Sequence, residues 1–347
     1  MLNTFSRTIL LFCLSSLSQA QLVPIDEREL SNTTGQAFIN IDRSSSASQN
    51  LDFTKLTFGL DVKTSLNSDL LELGNYTRDG VAGSDIKIND FALGTIDSNG
   101  NIVPFEIKDP FIELAFEDNA GKQDLVGIRL GFGGARGVLS GSIQSLTGNI
   151  NIDIRDTAAG LSNADNGLAD LTAALLGNSP IEAEAVLVNS DGTPNNIRAT
   201  EVGIRNGDTF DIVPTNGGDK FVLWGAALLG IGGLDCVDNG FFSCGRAQIT
   251  SGNCLAAGID VCFELDTYNS LDVGKKQSDG SFGLSEGLFL GFQTKQVTWI
   301  DGNTSTQATA GAFLNVPNGG LEVTLSQALL GTDRVRTKYV DPYFGGN

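Results

Sequence analysis

The chain has no histidine, one methionine, two tryptophans, four tyrosines and few basic side chains among its 347 residues. Without histidine there is no Ser-His-Asp or Cys-His catalysis, no His-ligated zinc or haem, and no imidazole pH switch. Lys and Arg number 22 against 41 Asp and Glu, a formal net charge of −19. A nucleic-acid ligand, which needs basic side chains clustered on one face, is therefore not expected. Past the N-terminus no stretch approaches the roughly 18 consecutive apolar residues of a membrane-spanning helix. The nearest, from Phe221 to Ile231, is short and broken by Gly225 and Gly230. Two Trp and four Tyr are thin material for the two aromatic girdles of a transmembrane β-barrel. With 41% apolar and 18% charged residues, the chain has enough apolar material for a packed core, which argues against wholesale disorder.

The compartment is read from what is present. Arg7 is the only charge before Asp26, and an apolar run from Thr8 to Leu14 leads to Ser18-Gln19-Ala20. This reads as a secretory signal peptide cut after Ala20, with no anchor, because the run is too short to span a bilayer. Phe12 before Cys13 is too bulky for a lipidation site. The remaining cysteines, Cys236, Cys244, Cys254 and Cys262, are spaced 8, 10 and 8 apart. In an exported chain this set reads as two disulfides. Three connectivities are possible, and the symmetric spacing favours Cys236–Cys244 with Cys254–Cys262. A four-cysteine zinc site would place each pair closer.

From Leu51 onward apolar residues recur with a period of two, as at Leu56/Phe58/Leu60/Val62, Ile112/Leu114/Phe116, Val126/Ile128/Leu130/Phe132, Ile150/Ile152/Ile154, Leu288/Leu290/Phe292 and Leu321/Val323/Leu325. Turn sequences such as Asp97-Ser98-Asn99-Gly100-Asn101 and Asp301-Gly302-Asn303 separate them. One apolar face on each strand means half-buried antiparallel strands. Leu168, Leu171, Leu175 and Leu176 have helical spacing, stopped by Gly177 and Pro180, and Trp224 to Ile231 reads as a short buried helix or a strand. The expected fold is all-β: an elongated antiparallel sheet or a sandwich folded over an apolar face, with one or two short helices. The expected organisation is a signal peptide (1–20), an N-terminal segment or linker (21–50), a first β region (51–160), a short helical connection (161–180) and a second β region with the disulfide loop (181–347).

No constellation carries chemistry. Asp97, Asn99 and Asn101 have calcium-loop spacing, but Lys108 stands where a bidentate Glu is needed. Asp235 and Asp238, like Asp301, read as turn residues. Gly131-Phe132-Gly133-Gly134-Ala135-Arg136-Gly137 lacks the Gly-Lys-Ser/Thr ending of a phosphate loop and reads as a bulge or close packing between strands. Carboxylate pairs for glycoside hydrolysis are formally available, but none is marked, and glycan clefts usually offer more Trp and Tyr. The sequons at Asn32, Asn75 and Asn303 matter only in a glycosylating source. No enzyme, metal or cofactor is expected.

The segment Leu22-Val23-Pro24-Ile25-Asp26-Glu27-Arg28-Glu29-Leu30-Ser31-Asn32-Thr33-Thr34-Gly35-Gln36-Ala37, with its Leu-Ser, two residues, Thr-Gly-Gln-Ala pattern, resembles a family of exported gammaproteobacterial proteins. Some of these are encoded with Fil-type pilus assembly clusters. Residues 53–56 and 84–90 resemble the same family, as do Val126 to Gly131 and Gly141 to Gly148. The likeness is best over residues 22–155. It departs near Leu73-Gly74, where many relatives are expected to carry cysteines and this chain has Asn75. The resemblance implies export to a Gram-negative envelope or surface and a pilus connection, and it carries over no catalytic residue. The expected function is a non-enzymatic structural or adhesive component of the envelope or of a surface appendage, in the periplasm, at the outer membrane surface or extracellular. Its expected partners are other envelope or pilus proteins. The alternative is a lipid- or acyl-chain-binding protein that uses the apolar sheet face.

Overall fold

Residues 38–335, apart from Asp165 and Ser278, are described by the computed structural model. The expected signal peptide and residues 21–37 lie outside them. The first described element bears on the expected N-terminal segment, whose Ser-rich stretch reads as a linker unless it pairs with a sheet edge. Strand β1 (Ile39–Ser46) pairs antiparallel with β2 (Leu51–Phe58), from Ile39 opposite Phe58 to Ser46 opposite Leu51. The Ser-rich stretch read as part of a 21–50 linker is thus an edge strand and its hairpin turn, where Asn50 adopts φ 54°. Ladder bonds use only the backbone, so short polar side chains suffice on an exposed edge. The Gln49 amide donates to the Thr298 carbonyl at 2.9 Å and accepts from the Thr298 N–H at 2.7 Å, tying the turn down.

The chain continues through β3 (Asp61–Thr64), the long hairpin β4 (Leu66–Arg78) and β5 (Val81–Leu93), then β6 (Phe105–Asn119), β7 (Lys122–Ser145) and β8 (Gly148–Thr157). After helix α1 (Gly167–Leu176) come β9 (Pro180–Val188), β10 (Glu201–Gly203), β11 (Thr209–Ile212), helix α2 (Gly217–Leu228), β12 (Leu234–Cys236), β13 (Ala247–Thr250), β14 (Cys262–Glu264) and β15 (Ser270–Val273). The last elements are β16 (Phe289–Gln293), the ribbon β17 (Val297–Asp301) and β18 (Thr304–Ala308), β19 (Gly311–Val323) and α3 (Leu325–Leu330).

The fold is predominantly β, with a few short helices, as the two-residue alternation predicts. The 24-residue β7 is its spine. Its first half pairs with β6 on one side and β16 on the other. Its second half pairs with β5 and β15. At Leu146 the chain turns away from β7, and β8 then runs parallel to β19, with Gly148 opposite Leu314 and Ile154 opposite Val323. The sheet is mixed, and strands of the expected first and second β regions both belong to its 17 strands. The glycine run 131–137 also lies inside β7 rather than between strands. The Phe111 ring covers Gly131, and Gly137 adopts φ 134° against Phe105, so side chains there would collide with aromatic rings.

Helix α1 falls inside the expected connection, with Asn166 accepting from the Leu168 N–H at 2.9 Å as its cap. Of its four leucines only Leu176 is fully buried, while Leu171 and Leu175 are exposed. The stretch expected to be a buried helix or a strand ends α2, and it is not buried. Leu223 alone in that helix is fully covered, and Phe221 and Leu228 face outward.

Cys236 bonds Cys244 and Cys254 bonds Cys262, the connectivity that the spacing favours. Each closes a short loop. On chain-entropy grounds each contributes roughly 2–3 kcal/mol. Mass measurement after alkylation without reductant is expected to find no free thiol among these four, and reduction is expected to lower the melting temperature. Four alkylated cysteines in exported, unreduced protein would overturn the assignment.

Candidate functional site

The period-two pattern hides a choice of face that neighbouring strands make together. Across six strands one row reads Ile41, Leu56, Ile112, Leu130, Leu290 and Leu314, each opposite the next in register. Ile112 and Leu130, expected to be core positions, are exposed on this face, as is Ile41. The next row adds Leu114, Ile128 and Phe292. The other members of the two rows are half-buried, and an apolar sheet face of this breadth that is partly open to solvent is a mark of an interaction surface.

At its β16 and β19 end this face leads into a partly open cavity of about 290 Å³ whose accessible lining is wholly apolar. Leu71, Leu73, Ile86 and Ile88 from the β4–β5 hairpin line it together with Leu290, Leu314 and Ile150. The sheet folds over its apolar face, and the fold leaves this space unfilled. An apolar cavity of about 150 Å³ already admits benzene, so this one has room for a longer aliphatic segment.

Next to Ile86, which lines the cavity, lies a buried clasp. Asp85, fully buried and adjacent to Ile86, accepts from Arg198 Nε at 3.0 Å and from the Ala312 N–H at 3.0 Å, with Arg78 Nη2 at 3.5 Å. Arg198 also donates to the carbonyls of Tyr76 and Val81 at 2.8 and 3.0 Å. Gly74 and Gly311 stand so close to the Asp85 carboxylate that neither tolerates a side chain. The clasp therefore fastens the β4–β5 hairpin to β19 and to the 198 loop, which pairing within the hairpin cannot do.

A second buried charge cluster lies on the sheet face turned away from the Leu130 row. Arg129, fully buried, donates Nε to Glu113 at 2.5 Å and both Nη groups to Asp301 at 2.6 and 2.8 Å. Lys55 reaches Asp301 at 3.4 Å. The guanidinium lies 5.1 Å from the ring centroids of Phe111, Phe289 and Trp299. Burial raises the Glu113 carboxyl above its ordinary value, and the charge of Arg129 only partly offsets this. Burial also pushes Asp301 upward, but hydrogen bonds and charge from Arg129 and Lys55 outweigh it and hold the carboxyl below its ordinary value. Asp301 is thus more than the turn residue expected. The cluster pins the β17–β18 ribbon, whose Trp299 is fully buried, onto Phe53, Phe289 and Phe313.

The acidic turn at Asp97 is occupied by its own loop. Its carboxylate accepts from the Asn99 and Asn101 N–H groups at 2.9 and 2.8 Å and from the Asn101 amide at 3.0 Å. Among the described residues no group of three or more Cys, Asp or Glu is placed to hold a metal ion, and no helix is long and apolar enough to cross a membrane. The Cys236–Cys244 hairpin carries an aromatic knob, with Phe241 92% exposed and Phe242 edge-on to Trp224 at 4.7 Å.

Sequence reasoning missed both clusters. The available signal was a charge at an inward strand position: Glu113 between Phe111 and Ala115, Arg129 opposite it, and Asp85 just before Ile86. No protein-family model, curated protein or solved structure matches this chain.

Proposed function

We propose that this is an exported, non-catalytic envelope protein that shelters an acyl chain or similar aliphatic ligand. The single observation that supports the reading is the continuity of the open apolar sheet face with the wholly apolar cavity. An aliphatic chain lying along the Ile112, Leu130 and Leu290 row with its end in the cavity would cover surface that is otherwise left wet. Burial of that surface is worth roughly 25 cal/mol per Å². The signal-like N-terminus and the disulfides are in keeping with an oxidising compartment.

Mass spectrometry of an organic extract of the purified protein is expected to find a copurifying lipid. Leu290→Trp, which places a large ring at the cavity wall, is expected to deplete it. An extract with no lipid, from protein that also fails to take up added fatty acid, would sink the reading.

The second reading is a structural or adhesive component of the envelope or of a pilus. It draws on the family resemblance, on strand β4, whose ladder among the described residues is with β5, and on the exposed aromatic knob. An unpaired edge can accept a partner's strand. Fractionation separates the two: assembly into a surface appendage favours the second, and soluble periplasmic protein carrying lipid favours the first.

A further inference from the structure

Strand β8 has two faces with opposite chemistry. Ile150 and Ile152 point to the apolar interior, so Asn149 and Asn151 point the other way. There they line an open cleft of about 910 Å³ on the sheet face opposite the apolar one. In the parallel β8–β19 pair Asn149 stands opposite Asn315, which stands opposite Phe289 of β16. Asn196 and Asn318 line the rim of the same cleft.

Four of these carboxamides, on Asn149, Asn151, Asn196 and Asn318, make no side-chain hydrogen bond among the described residues. Asn315 donates to the Gly287 carbonyl at 2.8 Å, and its amide oxygen remains available to a ligand. The positive charges in the cleft are engaged. Lys55 is held by Asp301, and Arg205 donates to Asp208 at 2.8 and 3.0 Å. Glu286 is lined up in the cleft with no salt-bridging cation among the described residues. No free positive charge is offered to an anion.

We propose that this cleft binds a neutral, polyhydroxylated ligand: an uncharged oligosaccharide. A carboxamide both donates and accepts, as a sugar hydroxyl does, and it carries no charge to be desolvated. Neighbouring strands set such groups about 4.8 Å apart, the scale of one pyranose ring. The volume is in the range of small-molecule clefts, about 300–1,000 Å³. An anionic glycan, a phosphate or a nucleic acid would meet Glu286 and no unpaired base. A peptide adds to a sheet through a backbone edge, whereas the lining of this cleft presents side chains from strand faces and loops. The scarcity of Trp and Tyr, which the sequence set against glycan binding, bears on stacking platforms; here the amides carry the recognition. The inference does not depend on the aliphatic cavity, although Phe132 and Ile150 border both spaces.

The test is an array carrying neutral oligosaccharides, sialylated and sulfated glycans, and peptides, probed with the full mature chain. Titration calorimetry follows with the best neutral glycan. Binding to neutral glycans that persists from low to high salt is expected. Asn149→Ala and Asn151→Ala should each weaken it roughly fivefold in Kd, the loss of one neutral hydrogen bond. The exposed pair Asn196→Ala and Asn318→Ala serves as a second set that leaves the sheet intact and should weaken binding by a similar factor. An array on which only acidic glycans or only peptides bind, or nothing binds, would overturn the proposal, as would neutral-glycan binding indifferent to all four substitutions.

Discussion

Arg129→Met is expected to cost about 3–5 kcal/mol of stability, the range found when one partner of a buried ion pair is removed. The arginine is fully buried between Glu113 and Asp301 and among three aromatic rings. Methionine fills much of its volume but leaves Glu113 in a dry site with no counter-charge, and that uncompensated charge dominates the loss. The pH dependence follows from the sign of each shift. Glu113 is already raised by burial, and losing Arg129 raises it further. A carboxyl whose folded pKa lies above the unfolded one costs stability at neutral pH, and the cost disappears as pH falls through the folded value. Asp301 is held low by Arg129, so it stabilises the wild type above the ordinary carboxylate range and that stabilisation is lost as pH falls through its folded value. Both trends narrow the gap between variant and wild type on acidification. Urea melts of the two proteins at pH 7 and near pH 4 check it; a gap that widens toward acid would contradict the assignment.

Asp85→Ala is expected to cost a comparable amount, about 3–5 kcal/mol, because it leaves Arg78 and Arg198 converging on an empty space and the Ala312 N–H unpaired. The damage should be local before it is global. The β4–β5 hairpin is fastened to β19 by this carboxylate, so amide hydrogen exchange in residues 66–93 should rise more than in β6 and the first half of β7. Asp85→Asn keeps the shape and one acceptor oxygen, and should recover part of the loss. Uniform exchange enhancement over the whole sheet would show that Asp85 packs rather than clasps. Gly311→Ala, which brings a methyl group against the same carboxylate at φ 98°, provides a second way to open the clasp.

The strands themselves are legible because alternation is a local property. Ile150, Ile152 and Ile154 lie on one face whatever the partner, and all three are buried. The cysteine pairing is legible for the same reason, since each bond closes only eight residues. Helix α1 announces itself through its leucine spacing and its stop at Gly177, although the sequence does not tell that Leu171 and Leu175 stay exposed. For β6 the period is right and the face is wrong: Ile112 and Leu114 look like core, yet Phe111, Glu113 and Ala115 face the covered side. Which face is covered depends on Trp299 and its ribbon, nearly two hundred residues away in the chain.

The sequence by itself determined the strand character, the two short disulfide loops, the exclusion of histidine chemistry and the acidic surface, all of which follow from composition or from neighbours within about ten residues. Only the tertiary structure decided which apolar rows are buried and which are open, that β8 joins β19 in parallel, that Asp85 and Arg129 sit at buried charge centres, and that six asparagines share one cleft. Each of these depends on the register between strands far apart in the chain. Register is set by the simultaneous packing of both sheet faces, and a shift of one residue would turn every side chain to the other side.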